Sequence, residues 1–427
     1  MAIDPNQTQP RSEADTVEDR FLPALDHSLI GETMAPDPSA APEALATEVS
    51  FRPFALGGAT ATFALIGATS SLYGPLLVSF SHRFHLSLPA AGTVLSVHFV
   101  GALFGVLLGW IGVKRISGGL VLSIALLMMA VGALGASLLH HWVAFLACVF
   151  LIGLGYGGLD FSLNTLLTRT AARGRALRLT VVNAGFGVGA VIGPLLIITL
   201  RPENFPRLFG GIAVVAVVLS TFNRGVHAPP LHAEARQRQV SMMKAQRRPI
   251  LFTFVVAYIL YIAVETSSAG WMATQLHGVG YSESVASLVT AGFWTGVALG
   301  RVLGGPLHHR LSDKVLVLGG LGFATVFGLL ALSSLLAPYA YPLMGLVIAS
   351  IFPMGLIWYT TLCPHDSDGL ALMILLMMAG GVIGPGAESL MVSAFGIHVV
   401  ALVVAVFALL DLAVFASALR FKPLIVA

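Results

Sequence analysis

Charge is scarce in this chain. Only 10% of its 427 residues are Asp, Glu, Lys or Arg, too few to cover a water-soluble globule of that size. Cysteine is nearly absent: Cys148 and Cys363, both within or near apolar stretches, are the whole complement. Neither a disulfide framework nor a thiolate metal site is therefore expected. No Gly-x-x-x-x-Gly-Lys-Ser/Thr loop occurs, so ATP bound by this chain is not the energy source. A His-Glu-x-x-His helix, a nucleophile elbow and clustered Asp or Cys/His at catalytic spacing are also missing, which argues against an enzyme and against a bound cofactor.

Apolar residues are abundant, at 56% of the chain, and they gather in stretches long enough to cross a bilayer, which takes about 20 residues each. Twelve such spans are predicted: 55–79, 89–112, 116–138, 142–167, 178–200, 208–223, 250–272, 284–306, 314–336, 340–361, 369–393 and 398–419. The fold class implied is an all-α integral membrane protein of twelve transmembrane helices in two six-helix bundles, 53–223 and 250–422. Residues 224–249, with Pro229, Pro230, Arg236, Arg238, Lys244, Arg247 and Arg248, form a basic linker between them. Residues 1–52 are the exception to the apolar pattern. Ten acids against two bases in the first 50 residues, and no periodic apolar face, predict a disordered acidic tail rather than a signal peptide.

Basic loops stay on the cytoplasmic side. With the N-terminus inside, seventeen Lys and Arg fall at inner ends and only Arg83, Arg201 and Arg207 outside. Both termini are therefore expected in the cytoplasm, most simply of a bacterial inner membrane. The basic balance serves topology, and nucleic acid is not an expected partner. A monomer in the lipid bilayer is expected.

The chain also repeats itself. Gly101, Gly105, Gly109 and Arg115-Ile116-Ser117 return as Gly296, Gly300, Gly304 and Arg310-Leu311-Ser312, an offset of 195 residues. Val191-Ile192-Gly193-Pro194 returns as Val382-Ile383-Gly384-Pro385, an offset of 191. Paired bundles of this kind build transporters that rock about a central site.

Six plus six spans, a central basic linker and a short basic turn after the second span of each half resemble the major facilitator superfamily over roughly residues 53–422. In that family the turn reads Gly-x-x-x-Asp-Arg-x-Gly-Arg-Arg. Here Gly105, Gly112, Lys114 and Arg115 match, while Gly109 and Trp110 stand in place of the Asp and first Arg. Gly158-Leu159-Asp160-Phe161-Ser162-Leu163-Asn164 is similar to the Leu-Glu-x-x-x-Asn signature of the fucose-permease and sodium-glucose branch, with Asp for Glu. Arg178 to Asn183, Phe186 to Gly189, and Tyr261 followed by Glu265 and Trp271 are similar to that branch as well. The resemblance implies a secondary transporter with a mid-membrane site.

A carboxylate inside a membrane span costs several kcal/mol unless it is paired, protonated or facing water, so each one needs a reason. Asp160, one turn before Asn164 on the same helix face, reads as a proton carrier or as a structural acid bonded to Asn164 or to a loop Arg. Glu265 has Ser70 at its repeat position and reads as a second coupling group, with Tyr261 one turn before it. Glu388, after Gly384-Pro385-Gly386, is either a binding or coupling group or a brace for a broken helix. Asp411, in the twelfth span, reads as structural. Arg301 could clamp an anionic solute, neutralise an acid, or snorkel to the inner surface. Asn183 supplies a polar wall. Trp294 and Trp358 are platforms for stacking a sugar or packing residues, and His98 is a packing residue by default. The expected activity is alternating-access transport of a small organic solute, sugar-like by preference, driven by protons. The alternative is a proton-antiporting exporter of drugs or metabolites, favoured by Gly189, Gly193 and Pro194.

Overall fold

The computed structural model describes residues 49–171, 174–230, 244–364 and 366–424. Most of the acidic tail and the bases Arg173, Arg236 and Arg238 lie outside them. The first half contains α1 (Pro53–Phe84), α2 (Leu88–Arg115), α3 (Gly118–Leu138), α4 (Trp142–Thr168), α5 (Arg175–Leu200) and α6 (Phe205–Phe222). The second contains α7 (Lys244–Gly278), α8 (Glu283–His308), α9 (Asp313–Leu330), α10 (Ala337–Ile348), α11 (Ile351–Leu362), α12 (Ser367–Phe395) and α13 (Val400–Ser417). Twelve stretches among the described residues are long and apolar enough to cross a membrane, α10 and α11 together making the tenth.

The tenth span was expected as one helix and is broken at Ala349-Ser350. Pro353 is the cause: it has no N–H to offer the Ala349 carbonyl four residues back, and its ring crowds that oxygen. The seventh begins earlier than expected, inside the basic linker, because a helix does not end where its apolar stretch ends. The linker also contributes a strand. β2 (Val226–His227) pairs antiparallel with β1 (Ser50–Phe51), and the Gly118 N–H donates to the Ala228 carbonyl at 2.8 Å.

The repeated glycines are contact points between helices. A Cβ on Gly101 or Gly105 would strike the backbone of α4 at Phe150 or Leu154; one on Gly296 or Gly300 would strike the backbone of the tenth span at Pro342 or Leu346. Gly185, Gly189 and Gly193 of α5 likewise face carbonyls of α1, and Gly380 and Gly384 of α12 face the backbone of α7. In hydrocarbon, where oil offers no drive to associate, such close backbone approach supplies the dispersion energy that holds helices together. The second half thus repeats the first, with α2 on α4 and α1 on α5 answered by α8 on α10 and α7 on α12.

Twelve crossings return the chain to the face it left, so Val49 and Leu424 share a face. On the opposite face the two halves meet closely. Ser389 Oγ donates to the Pro89 carbonyl at 2.7 Å and Ser96 Oγ to the Val382 carbonyl at 3.0 Å. Gly74 of α1 abuts the carbonyls of Ala269 and Gly270, and Gly92 of α2 abuts the Trp271 ring. These contacts form a seal, and the site lies on its termini side.

Candidate functional site

Tyr156, Asp160 and Asn164 follow one another at four-residue intervals on α4, which puts them on one face. Asn164 Nδ2 donates to the Asp160 carbonyl at 3.0 Å and to Asp160 Oδ1 at 3.3 Å. Asn183 of α5 continues the chain, its Nδ2 donating to Asn164 Oδ1 at 3.1 Å and to the Leu179 carbonyl at 2.9 Å. Across the interface on α7, the Tyr261 hydroxyl donates to Glu265 Oε2 at 2.6 Å. Glu265 stands one turn short of the seal at Ala269.

The two halves bring their charges together. The charges of Asp160, Glu265 and Arg301 all act on the Tyr156 hydroxyl; Arg301 also acts on Asp160 and, with Glu265, on Tyr261. Asp160, Asn164, Asn183 and Glu265 are half-buried and Arg301 is exposed. These groups therefore meet at the seam between the halves. Arg301 makes no ion pair within 4.0 Å among the described residues, so its charge acts on Asp160 from beyond salt-bridge distance.

Tyr156 joins this group although its residue type alone did not single it out; its place one turn before Asp160 was the available signal. Trp294 borders the group from α8. It is 5% exposed, its Nε1 has no partner, and its ring meets Phe186 of α5 edge-on at 6.0 Å. Trp358 is placed elsewhere. It is wholly buried in the second half, stacked on Phe415 at 6.0 Å and edge-on to Phe254 at 5.6 Å, and offers no free ring face. Tyr258 turns away from Glu265, donating to the Phe352 carbonyl at 2.6 Å. Glu388 is fully buried on α12, within the seal and apart from this group. Asp411 is fully buried on α13. His98 packs between the rings of Tyr73 and Tyr156, each at 5.0 Å.

A second polar cluster was not anticipated. On the termini face, Asp366 Oδ2 accepts from Arg247 Nε and from the Tyr359 hydroxyl, both at 2.5 Å, and Oδ1 accepts from the Gly369 N–H at 2.9 Å. Burial pushes this carboxyl up, but the hydrogen bonds from Arg247, Tyr359 and Gly369 and the Arg247 charge outweigh it and hold Asp366 below its ordinary value. The cluster ties the ends of α7, α11 and α12 together.

The chain resembles known transporters. It is 24% identical to the glucose/mannose transporter GlcP of Bacillus subtilis (strain 168) over 312 residues, 69% of this chain and 77% of that protein. It is also 24% identical to a glucose/galactose transporter of Brucella abortus biovar 1 (strain 9-941) over 373 residues, 81% of this chain and 89% of that one. The crystal structure of a variant of the E. coli fucose:proton symporter, FucP, superimposes with a TM-score of 0.60 at 17% identity, over 86% of this chain and 98% of FucP. The family model of the Major Facilitator Superfamily matches residues 59–277, more than half of the chain. Matched in sequence over that length and built as twelve spans in two repeated halves, the chain belongs to the major facilitator superfamily of membrane transporters.

Proposed function

We propose that this transporter carries a sugar-like, polyhydroxylated solute together with protons, by alternating access. The observation that carries the reading is the convergence of Asp160, Asn164 and Asn183 from one half with Tyr261, Glu265 and Arg301 from the other at the seam between them. The hydrogen-bonded amides and the Tyr261–Glu265 pair suit hydroxyl recognition, and Trp294 supplies an apolar wall. The similarity to glucose/mannose and glucose/galactose transporters supports the solute class. Asp160 is the proton carrier in this reading: it is held by one long bond to its own helix, so it can pick up a proton without breaking a strong pair. The excess of basic residues at the termini face supports a cytoplasmic location for it, which makes the conformation described inward-facing, in the inner membrane of a bacterium.

The α5 glycines that would favour an antiporting exporter are accounted for by their contacts with α1, which α12 and α7 reproduce. They carry no separate weight for export. The test is uptake of labelled glucose, mannose, galactose and fucose by proteoliposomes holding the full chain, under imposed pH gradients of either direction. Coupling of one proton per solute raises accumulation about tenfold per unit of pH difference, since one unit is worth about 1.36 kcal/mol. Asp160→Asn is expected to abolish accumulation and spare exchange of labelled for unlabelled solute. Accumulation undiminished in Asp160→Asn would return this residue to a structural role, and no flux of any of the four sugars would remove the substrate assignment.

A further inference from the structure

Glu388 is not part of the group around Asp160 and Glu265, and its surroundings do not explain it as a brace. It is fully buried, and neither Oε1 nor Oε2 has a hydrogen-bond partner. The Ser267 hydroxyl of α7 lies beside the carboxyl, itself without a partner. The Tyr341 hydroxyl of α10 is also near, but it donates to Gln275 Oε1, and Gln275 Nε2 donates to the Ala331 carbonyl at 3.0 Å. Tyr341 and Gln275 are thus committed elsewhere, the Ser267 hydroxyl is the donor left within reach of Glu388, and among the described residues no Arg, Lys or His charge acts on it. An ionised carboxylate without partners in such a place costs several kcal/mol, whereas the neutral acid costs far less. The enclosed form holds a proton.

The elements that enclose Glu388 are those that make the seal. Its neighbour Ser389 donates to Pro89, a Cβ built on Gly386 would lie 3.1 Å from Ser96 Oγ, and Trp271, one turn after Ser267, lies against Gly92. Pro385, three residues before Glu388, removes the hydrogen bond to the Gly381 carbonyl and leaves α12 free to bend there.

We propose that Glu388 is a second proton-binding site, inside the seal and apart from Asp160, and that its ionisation holds the seal open. Parting α1 and α2 from α7 and α12 lets water reach the carboxyl, which then releases its proton; resealing requires a proton to return. This rests on the reading of the chain as a proton-driven transporter, and it places one proton site on the termini side of the seal and the other within it.

The test needs no solute. Spin labels at Arg83→Cys and His398→Cys, exposed positions in the first and second half, report the separation across the seal in the full chain, with Cys148 and Cys363 replaced by Ala and the protein in lipid nanodiscs. With one proton difference between the states, the open-to-sealed ratio rises by up to tenfold per pH unit through the titration. The slope is expected to persist in Asp160→Asn with Glu265→Gln, to vanish in Glu388→Gln with the seal closed, and to return with a shifted midpoint in Glu388→Asp, which also guards against loss of folding in the Gln variant. A slope unchanged in Glu388→Gln, a wild type that ignores pH, or a Glu388-dependent opening driven by Na⁺ at constant pH would overturn the proposal. None of these bears on whether Asp160→Asn loses accumulation, so the two readings fail separately.

Discussion

Replacing Gly157 with Ala should loosen the first half without touching the site chemistry. A methyl built on Gly157 lies 2.7 Å from the carbonyl carbon and 2.8 Å from the Cα of Ala102, with the carbonyl oxygen nearer still, against an ordinary contact of 3.4–4 Å. Both obstacles are helix backbone, so no side-chain rotation relieves them. The α2–α4 seam must widen by about 1 Å, and the neighbouring contacts at Gly101, Gly105 and Gly153 weaken with it. Overpacking of a tight core costs about 1–3 kcal/mol, and this backbone-limited site belongs at the upper end. Helix propensity returns roughly 0.5–1 kcal/mol for Gly→Ala, leaving a net loss of about 1–2 kcal/mol. For a cooperative unit the size of one half, that is a fall in Tm of about 3–8 °C. Gly322 on α9 is the control, because a Cβ there meets nothing within 4 Å; Gly322→Ala should raise Tm by about 1–4 °C. Thermal unfolding of the purified chain, followed by tryptophan fluorescence at matched detergent, reads both. If Gly157→Ala melts at or above the wild type, or if Gly322→Ala falls as far, the seam is not held by backbone contact.

The Asp366 cluster makes a pH prediction. Its carboxyl is held below the ordinary value, so the stability it contributes is complete above the unfolded pKa, about 3.9, and is lost as pH falls through the lower folded value. Melting curves from neutral pH downward should fall more steeply below about pH 4 in the wild type than in Asp366→Asn, which starts lower; identical slopes would show that the Arg247 and Tyr359 bonds contribute nothing. The two tryptophans proposed as platforms should separate in kind. Trp358→Ala, emptying a closed aromatic core, is expected to cost about 3–5 kcal/mol of stability, whereas Trp294→Ala is expected to raise the KM for uptake with a smaller effect on melting. Equal losses of stability in both would remove Trp294 from the site.

The architecture was legible because it is written in long-range regularities. Twelve apolar stretches and two glycine series at fixed offsets survive any uncertainty about individual residues, and the glycines proved to be the backbone contacts of α2 with α4 and of α8 with α10. Local endings were less legible. The break at Ala349-Ser350 is set by Pro353, which lies inside the apolar stretch, and α7 runs on into basic sequence because the hydrocarbon boundary does not end a helix. The site was legible where chemistry and periodicity coincide, as in Asp160 with Asn164 and Tyr261 with Glu265. It was not legible where orientation decides. Trp294 and Trp358 are equivalent as residue types, and only the packing of Phe186 against one and Phe415 against the other tells them apart. Asp366 was hidden for a similar reason: its partners Arg247 and Tyr359 come from two other helices.

The repeat also explains why the site is one-sided. Asp160 maps by the 195-residue offset onto Gly355, and there the Tyr258 hydroxyl fills the room that a side chain would take, 2.6 Å from a Cβ built on that glycine. Glu265 maps onto Ser70, whose hydroxyl donates to the Gly67 carbonyl of its own helix at 3.0 Å and so asks nothing of the opposite half. Each acid therefore has a mate that is either absent or self-satisfied, while the glycine contacts around both are kept. The close packing is the same in both halves. The proposed site for one solute and one proton needs the opposite, since two identical acids at symmetric positions would repel each other and leave one group redundant. Divergence of the polar residues upon a repeated packing frame is what lets Asp160, Glu265 and Arg301 act on Tyr156 as unlike charges rather than as a symmetric set of like ones.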